Sequence, residues 1–182
     1  MEKLNKLGRP RMEIIGVILA ILGLIFAFER PRKEFLALFG ILGPLPLSEH
    51  DQALVKEFRA LFADSGLFRL YKNHDFLLPL SQRATSPLYT VVETWIDEAH
   101  FFVNSDLRAK QFIFIKAAKE LAEEIIRYTV PDGNGNITVI SRHMDPENLP
   151  PHVLDEAKAI DAKLPAFLQA HEDLLTKCKD LT

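Results

Sequence analysis

The feature that most constrains this chain is a run of fifteen consecutive apolar residues, Ile14 to Phe28, between Glu13 and Glu29. No face of this run carries a polar side chain, whereas a surface helix of a small soluble domain needs one wet face. At about 1.5 Å per helical residue the run is about 22 Å long, shorter than a hydrocarbon core of about 30 Å. We therefore predict one transmembrane helix over residues 13–29, with local thinning of the bilayer or flanking side chains that reach the headgroups.

Two other interpretations of this run remain open. A secretory signal peptide also has a basic start, as residues 1–12 do here, but Ile25-Phe26-Ala27 is a poor small-x-small cleavage site. A buried helix in the core of a soluble protein would also be apolar on every face. A helical hairpin that uses the second apolar run, Phe35 to Leu42, is disfavoured, because eight residues cannot span a bilayer and the intervening loop is basic.

A basic collar follows the predicted span. Arg30, Arg32 and Lys33 surround a proline that should end or kink the membrane helix, and their charges suit lipid phosphate groups. We assign residues 30–47 to this juxtamembrane collar and an apolar linker. Residues 1–12 form a basic N-terminal tail.

The charge is divided along the chain. Residues 1–47 contain seven Lys and Arg against four Glu, a net charge of +3, whereas residues 48–182 contain 15 cations and 21 anions, a net charge of −6. An acidic domain is a poor electrostatic match for nucleic acid, so we do not expect nucleic acid as a partner. The expected partners are the lipid bilayer and another membrane-associated protein.

The orientation in the membrane is left open by the sequence. Four cations precede the span and three follow it, so the positive-inside rule gives only a slight preference for a cytoplasmic N-terminus. Cys178 is the single cysteine, which excludes an intramolecular disulfide and weakly favours the opposite orientation. We expect a single-pass location in a membrane of plasma or inner membrane type.

Residues 48–182 are enough for one domain, and the spacing of their apolar residues predicts helices. A capping-box pattern, Ser48 to Asp51, begins the first helix, which ends at Asp64-Ser65-Gly66. After a loop over Pro79 to Pro87, Ser86-Pro87 should begin the second helix. That helix should continue past Trp95 and carry Val91, Val92, Trp95, Ile96 and Ala99 on one side.

The longest helix should begin at Asn104-Ser105-Asp106 and run to Tyr128. We expect its buried side to consist of Ile113, Phe114, Ala117, Ala118, Leu121, Ile125 and Ile126. Pro150-Pro151 should open a last helix, which Pro165 is expected to kink or split.

Pro131 to Asn136 is a strong turn, and the β-branched segment Ile137 to Ile140 after it should pair with Tyr128 to Val130 as a short β-hairpin. The turn begins like a calcium loop, but Ile137 at the sixth position and His143 at the twelfth exclude an EF-hand. The predicted fold class is mainly α. One N-terminal transmembrane helix precedes an antiparallel helical bundle over residues 48–182.

Four residues are weak candidates for a metal or catalytic site. Asp97 and His100 lie three apart on the second predicted helix, but a di-iron bundle needs two such pairs and further Glu residues. His74-Asp75 matches the metal-binding doublet of phosphohydrolases, although a loop hydrogen bond or cap explains the same residues. We therefore predict no catalytic residue, no metal ligand and no cofactor.

The leading hypothesis is a single-pass membrane-tethered helical module that acts through protein contacts, as a sensor, adaptor or scaffold. The first alternative is a membrane-associated metal-dependent hydrolase that uses His74, Asp75, Asp97 and His100. The second alternative is a small effector that disturbs the bilayer by oligomerisation.

Overall fold

The computed structural model of the protein describes residues 47–63 and 66–181, without the side chain of Ala63. The predicted tail (1–12), the transmembrane segment (13–29) and the collar with its linker up to residue 46 lie outside the described residues. Within the described ranges, no helix combines the length and the apolar character that a membrane crossing needs.

The first helix, α1, spans Glu49–Phe58 and continues as a π-helical turn over Arg59–Ala63. The hydroxyl of Ser48 accepts a hydrogen bond from the backbone N–H of Asp51 at 3.0 Å, so the predicted N-cap is confirmed. The Asp51 carboxylate, however, does not close a capping box. It accepts hydrogen bonds from the backbone N–H groups of Val103 and Asn104 at 2.7 and 3.0 Å.

The segment between the first two predicted helices is more regular than its sequence suggests. It contains a short helix, α2, over Leu67–Asn73, and a two-residue strand, β1, over Leu80–Ser81. Gly66 precedes α2 with φ of 72°, a conformation that favours glycine. Helix α3 spans Gln82–Thr94, so the predicted loop over Pro79 to Pro87 and the predicted helix start are wrong.

The early start of α3 has a tertiary cause. Strand β1 fixes the position of Ser81, and the backbone N–H of Gln82 donates to the carbonyl of Gly135 at 3.0 Å. Pro87 then lies inside α3, where one intrahelical hydrogen bond is missing. At the other end, Trp95 caps the helix, and Glu98–His100 forms a separate 3-10 turn.

The predicted continuation of this helix past Trp95 is also wrong. Trp95 is fully buried, but Ile96 is 59% exposed and Ala99 is exposed, because the chain leaves the α-helical path before them. Asp97 and His100 are therefore not on α3 at all.

Helix α4 spans Ser105–Tyr128, and the Asn104 side chain accepts from the backbone N–H groups of Asp106 and Leu107, as predicted. The predicted buried side is only partly correct, because Ile113 and Ile126 are 55% and 65% exposed. The face that packs is narrower. Its buried members are Leu107, Gln111, Phe114, Ala118, Leu121, Ala122 and Ile125.

Strand β2 is Val130–Pro131 and β3 is Asn136–Thr138. They form a hairpin, as predicted, and with β1 they make a three-stranded antiparallel sheet of order β1-β3-β2. The predicted bounds are only partly correct, because Tyr128 belongs to α4 and Val139 and Ile140 lie beyond β3. Leu80 pairs with Ile137 across β1 and β3, and Val130 pairs with Thr138 across β2 and β3. The pairing with β1 joins residues far apart in the chain, so the local sequence pattern did not indicate it.

The last helix, α5, spans Pro151–Asp180 without a break at Pro165, so the predicted split does not occur. Pro165 is exposed, and the buried residues on either side of it keep the helix in place. Three ion pairs align α5 antiparallel to α4. They are Asp106–Lys177 at 2.8 Å, Lys110–Asp173 at 2.8 Å and Glu120–Lys163 at 3.2 Å.

The hydrophobic core lies where α1, α4 and α5 meet, and aromatic rings form its centre. The ring of Phe114 is 5.3 Å from that of Phe58, 5.5 Å from that of Phe62 and 5.7 Å from that of Phe167. Residues Leu47–Thr182 make one compact unit. A mainly helical fold with a small sheet is thus established, and a helical core of this kind gives the surface features described below a rigid support.

Candidate functional site

His74 and Asp75 follow directly after α2 and lie close to α5. One carboxylate oxygen of Asp75 accepts a hydrogen bond from the backbone N–H of Leu77 at 2.9 Å, which is an ordinary turn interaction. The ring of His74 packs edge-on against Phe76, with centroids 5.1 Å apart. Burial, followed by the negative charge of Asp75, raises the pKa of the Asp161 carboxyl on α5. Burial also lowers the pKa of His74, against the opposing effects of its backbone contact and the two carboxylates.

Asp97 and His100 occupy a different part of the molecule. The carbonyl of Asp97 accepts a hydrogen bond from the backbone N–H of His100 at 2.9 Å, and the Asp97 side chain is exposed. The ring of His100 stacks beside that of Trp95 at 6.5 Å, and the His100 carbonyl accepts from the side chain of Gln111 at 2.5 Å.

The two predicted pairs therefore lie at different locations, and the four residues do not form one site. His74 and Asp75 lie near Asp161 of α5, whereas Asp97 and His100 lie next to Trp95 and α4. Among the residues that the structure describes, no three His, Cys, Asp or Glu side chains are grouped so that they could hold a metal ion. The three-residue spacing of Asp97 and His100 does not place them on one helix face, because these residues are not on an α-helix.

The loop before α4 is held in place from two sides. The buried carboxylate of Asp51 binds the backbone of Val103 and Asn104, as described above. The buried Gln111 amide accepts from the backbone N–H of Phe102 at 3.1 Å and donates to the carbonyl of His100. Because these bonds join three elements, the loop has a defined shape.

This loop and the adjacent face of α4 present apolar side chains to solvent. The rings of Phe101 and Phe112 contact each other at 5.2 Å, and Phe112 is 49% exposed. Val103 and Ile113, next to them along the chain, are 61% and 55% exposed. We call these four residues the 101–113 patch. Grouped exposed apolar side chains mark interaction sites more often than isolated ones do.

A second feature surrounds His171 on α5, which is only 1% exposed. Its ring centroid lies 3.9 Å from that of Phe68, 5.1 Å from that of Phe58 and 5.7 Å from that of Phe62. The ring of Phe114 is 6.1 Å away. We call these four phenylalanines the His171 cage.

The polar atoms of His171 are not satisfied inside this cage. Neither ring nitrogen has a hydrogen-bond partner in the described part of the chain. Burial lowers the pKa of His171 to about 4, so the ring is neutral at pH 7. A neutral imidazole has one N–H donor and one acceptor, and a buried group without a partner costs about 1–3 kcal/mol. An apolar residue would avoid this cost.

A cleft of about 610 Å³ opens beside the cage, between α2 and the C-terminal half of α5. Its cationic lining residues are Arg69, Lys72 and Lys179, and Glu172 is acidic. Phe68 and Leu175 provide apolar surface, and His171 is the buried residue of the lining. We call this the His171 cleft.

Sequence reasoning did not single out His171, although a signal exists. His171 interrupts an apolar series at spacings of three and four, which consists of Ile160, Leu164, Phe167, Leu174 and Cys178. A histidine at a core position of such a series is expected to be buried, and its burial is costly unless its ring nitrogens have hydrogen-bond partners. Cys178 belongs to the same series. It is buried, and burial raises the pKa of its thiol to about 11, so the thiol at this helix end is protonated at pH 7.

Comparison with known proteins finds no matching family model, no similar curated protein and no matching solved structure. The candidate features are therefore those that this chain's own geometry provides. They are the 101–113 patch on the loop and α4, and the His171 cleft between α2 and α5. The two features share no residue.

Proposed function

We propose that the protein is a single-pass membrane-tethered helical module that acts by contact with another membrane-associated protein. The observation that carries this proposal is the 101–113 patch, in which two phenylalanine rings pack against each other at the surface. The partner surface should be apolar where it covers these four side chains.

The position of the patch supports a role in contact. Aromatic residues are enriched in the cores of protein interfaces, and a few such anchors carry most of the binding free energy. Asp51 and Gln111 hold the loop that carries Phe101 and Val103, so little conformational entropy is lost when a partner binds. Phe112 and Ile113 are on the long helix α4, which is equally fixed by its packing against α5.

The membrane anchor predicted from the sequence explains how a small contact surface can be sufficient for binding. A patch of four side chains is too small for a tight complex between freely diffusing proteins. Attachment of both partners to one membrane raises their effective concentration for each other, and a modest interface is then sufficient. The sequence of Ile14 to Phe28 supports such attachment.

Two measurements on the full chain in its native membranes test the proposal. The chain should resist extraction by alkaline carbonate, and Leu22→Arg should lower the membrane fraction, because a charge at mid-span costs about 2.5–3.5 kcal/mol. In native gels after mild solubilisation, the wild-type chain should migrate in a complex larger than itself. Phe112→Ser should release it, while the matched control Lys119→Ser on the same helix should not.

Extraction of the wild-type chain by carbonate would contradict the tether. A complex that survives Phe112→Ser, or that Lys119→Ser dissolves equally, would contradict contact through the 101–113 patch.

A further inference from the structure

We propose that the His171 cleft is a binding site for a small amphipathic anion, in which a phosphate or carboxylate group is joined to an apolar body. This inference is independent of the proposed function, because the cleft and the 101–113 patch share no residue. It would give the protein a ligand-responsive state beside its contact surface.

The cleft is lined by a buried side chain without a hydrogen-bond partner among the described residues. His171 is almost completely buried, and within the described residues both of its ring nitrogens lack a hydrogen-bond partner. All four rings of its cage are phenylalanine, so the cage itself cannot supply one. A ligand that enters beside the cage can supply an acceptor for the imidazole N–H.

The described lining of the cleft is more cationic than anionic. Arg69 and Lys72 extend into it from α2, and Glu172 is the carboxylate among the described lining residues. This pair of cations favours a negatively charged ligand, because guanidinium and ammonium groups are the usual partners of phosphate and carboxylate. Arg69 and Lys72 lie three residues apart on a short helix, and both are exposed at the cleft.

The same cleft has apolar surface. Phe68 and Leu175 line it and are only partly buried, and Phe68 stacks on the His171 ring. An apolar body can cover these two side chains while the anionic group meets the cations. The His171 nitrogens are closed to solvent, so a neighbouring side chain must move when the ligand reaches them. The cleft volume of about 610 Å³ is of the size that small-molecule sites have.

The test uses the full chain in uncharged maltoside micelles and follows the imidazole ¹⁵N resonances of His171. Hexyl phosphate is the probe for the amphipathic anion, inorganic phosphate is the probe for the charge alone, and hexanol is the probe for the apolar body alone. Hexyl phosphate should shift the His171 resonances in a saturable manner and bind at least tenfold more tightly than either of the other two. Dioctanoyl phosphatidic acid, added in a separate titration, should compete at the same site if the natural ligand is a lipid.

Two variants keep the result interpretable. Lys72→Gln should weaken hexyl phosphate binding at least fivefold, whereas Lys158→Gln, an exposed lysine on α5 outside the cleft, should not change it. His171→Phe should fold, because its ring fits an aromatic cage, and should also bind at least fivefold more weakly, as measured by calorimetry.

Three results would overturn the proposal. These are the absence of a saturable His171 shift with both hexyl phosphate and phosphatidic acid, equal affinity of Lys72→Gln and wild type, and equal affinity of His171→Phe and wild type. A preference of tenfold or more for phosphatidic acid over hexyl phosphate would assign the site to a lipid headgroup, and the reverse preference would assign it to a free metabolite. Either preference supports the proposal.

Discussion

The ring of Phe68 stacks on the ring of His171, with centroids 3.9 Å apart and planes inclined by 23°. The rings of Phe58, Phe62 and Phe114 also lie within 6.1 Å of the His171 ring. A titratable side chain is thereby enclosed by apolar rings, which has consequences for stability as well as for binding.

The stability of the protein should fall in weak acid because of His171. Its pKa is about 4 in the folded state and 6.5 in the unfolded state, so between these values the unfolded state binds more protons. The free energy of unfolding therefore includes the full contribution of neutral His171 above pH 6.5. This contribution is lost as the pH falls toward 4. The free energy of unfolding should decrease by about 3 kcal/mol over this window. Urea unfolding of wild type and His171→Phe at pH 7 and pH 4 measures the difference.

The variant His171→Phe should lack this part of the acid sensitivity, whereas His152→Gln, an exposed histidine at the start of α5, should retain it. An identical pH dependence of His171→Phe and wild type would show that His171 is not held neutral in the core.

Removal of the Asp51 carboxylate should be costly. Asp51→Ala leaves the backbone N–H groups of Val103 and Asn104 without their acceptor. Each unsatisfied group costs about 1–3 kcal/mol, so we expect the loss of two acceptors to lower the free energy of unfolding by about 2–6 kcal/mol in chemical denaturation. Asp155→Ala is the control, since Asp155 is exposed in a surface ion pair with Lys158, and it should change stability by less than about 0.5 kcal/mol. Comparable losses in both variants would contradict the assigned role of Asp51.

The two faces of α4 can be distinguished by truncation. Leu121 is fully buried, so Leu121→Ala should destabilise the domain by about 2–5 kcal/mol. Ile113 is 55% exposed in the 101–113 patch, so Ile113→Ala should cost no more than about 0.5 kcal/mol. Thermal or urea unfolding measures both. A large loss for Ile113→Ala would favour the wider buried face that the sequence pattern predicts.

Pro165 offers a test of the unbroken helix α5. Within the helix its ring removes the hydrogen bond to the carbonyl of Asp161, and Pro165 itself is exposed. Pro165→Ala restores this bond at the expense of a freer unfolded chain, so the net gain should be about 2 kcal/mol. An unchanged or lower midpoint of urea unfolding would indicate that α5 is interrupted at this position.

Local patterns were sufficient for much of the fold. The Ser48 and Asn104 caps, the hairpin around Asp132 and the long helices follow from hydrogen-bonding residues and apolar spacing within a few positions. The start of α3 did not follow, because it depends on the pairing of β1 with β3 from about fifty residues away. The helical spacing of Ile113 and Ile126 predicts that both are buried. The structure exposes them, because α5 covers only the narrower face centred on Phe114 and Leu121.

The candidate sites were less accessible to sequence reasoning. The pairs His74-Asp75 and Asp97–His100 consist of residue types that bind metals, at spacings found in metal sites. The fold places the two pairs at different locations. The place of His171 in an apolar series indicates burial. Its significance depends on the cage and on cations from α2, which are distant from it in the chain. Such a combination of a buried unpartnered group and a charged cleft arises only when distant elements pack together.

The most direct measurement for the central proposal is photo-cross-linking from the patch in intact native membranes. A photoreactive phenylalanine analogue replaces Phe112 in the full chain, and the matched control carries the same analogue in place of Lys119, which is exposed on the same helix. We expect one dominant protein adduct from position 112, little or none from position 119, and loss of the adduct when Leu22→Arg releases the chain from the membrane. Equal adducts from both positions, adducts with lipid alone, or an adduct that persists after Leu22→Arg has released the chain would contradict a membrane-tethered contact module.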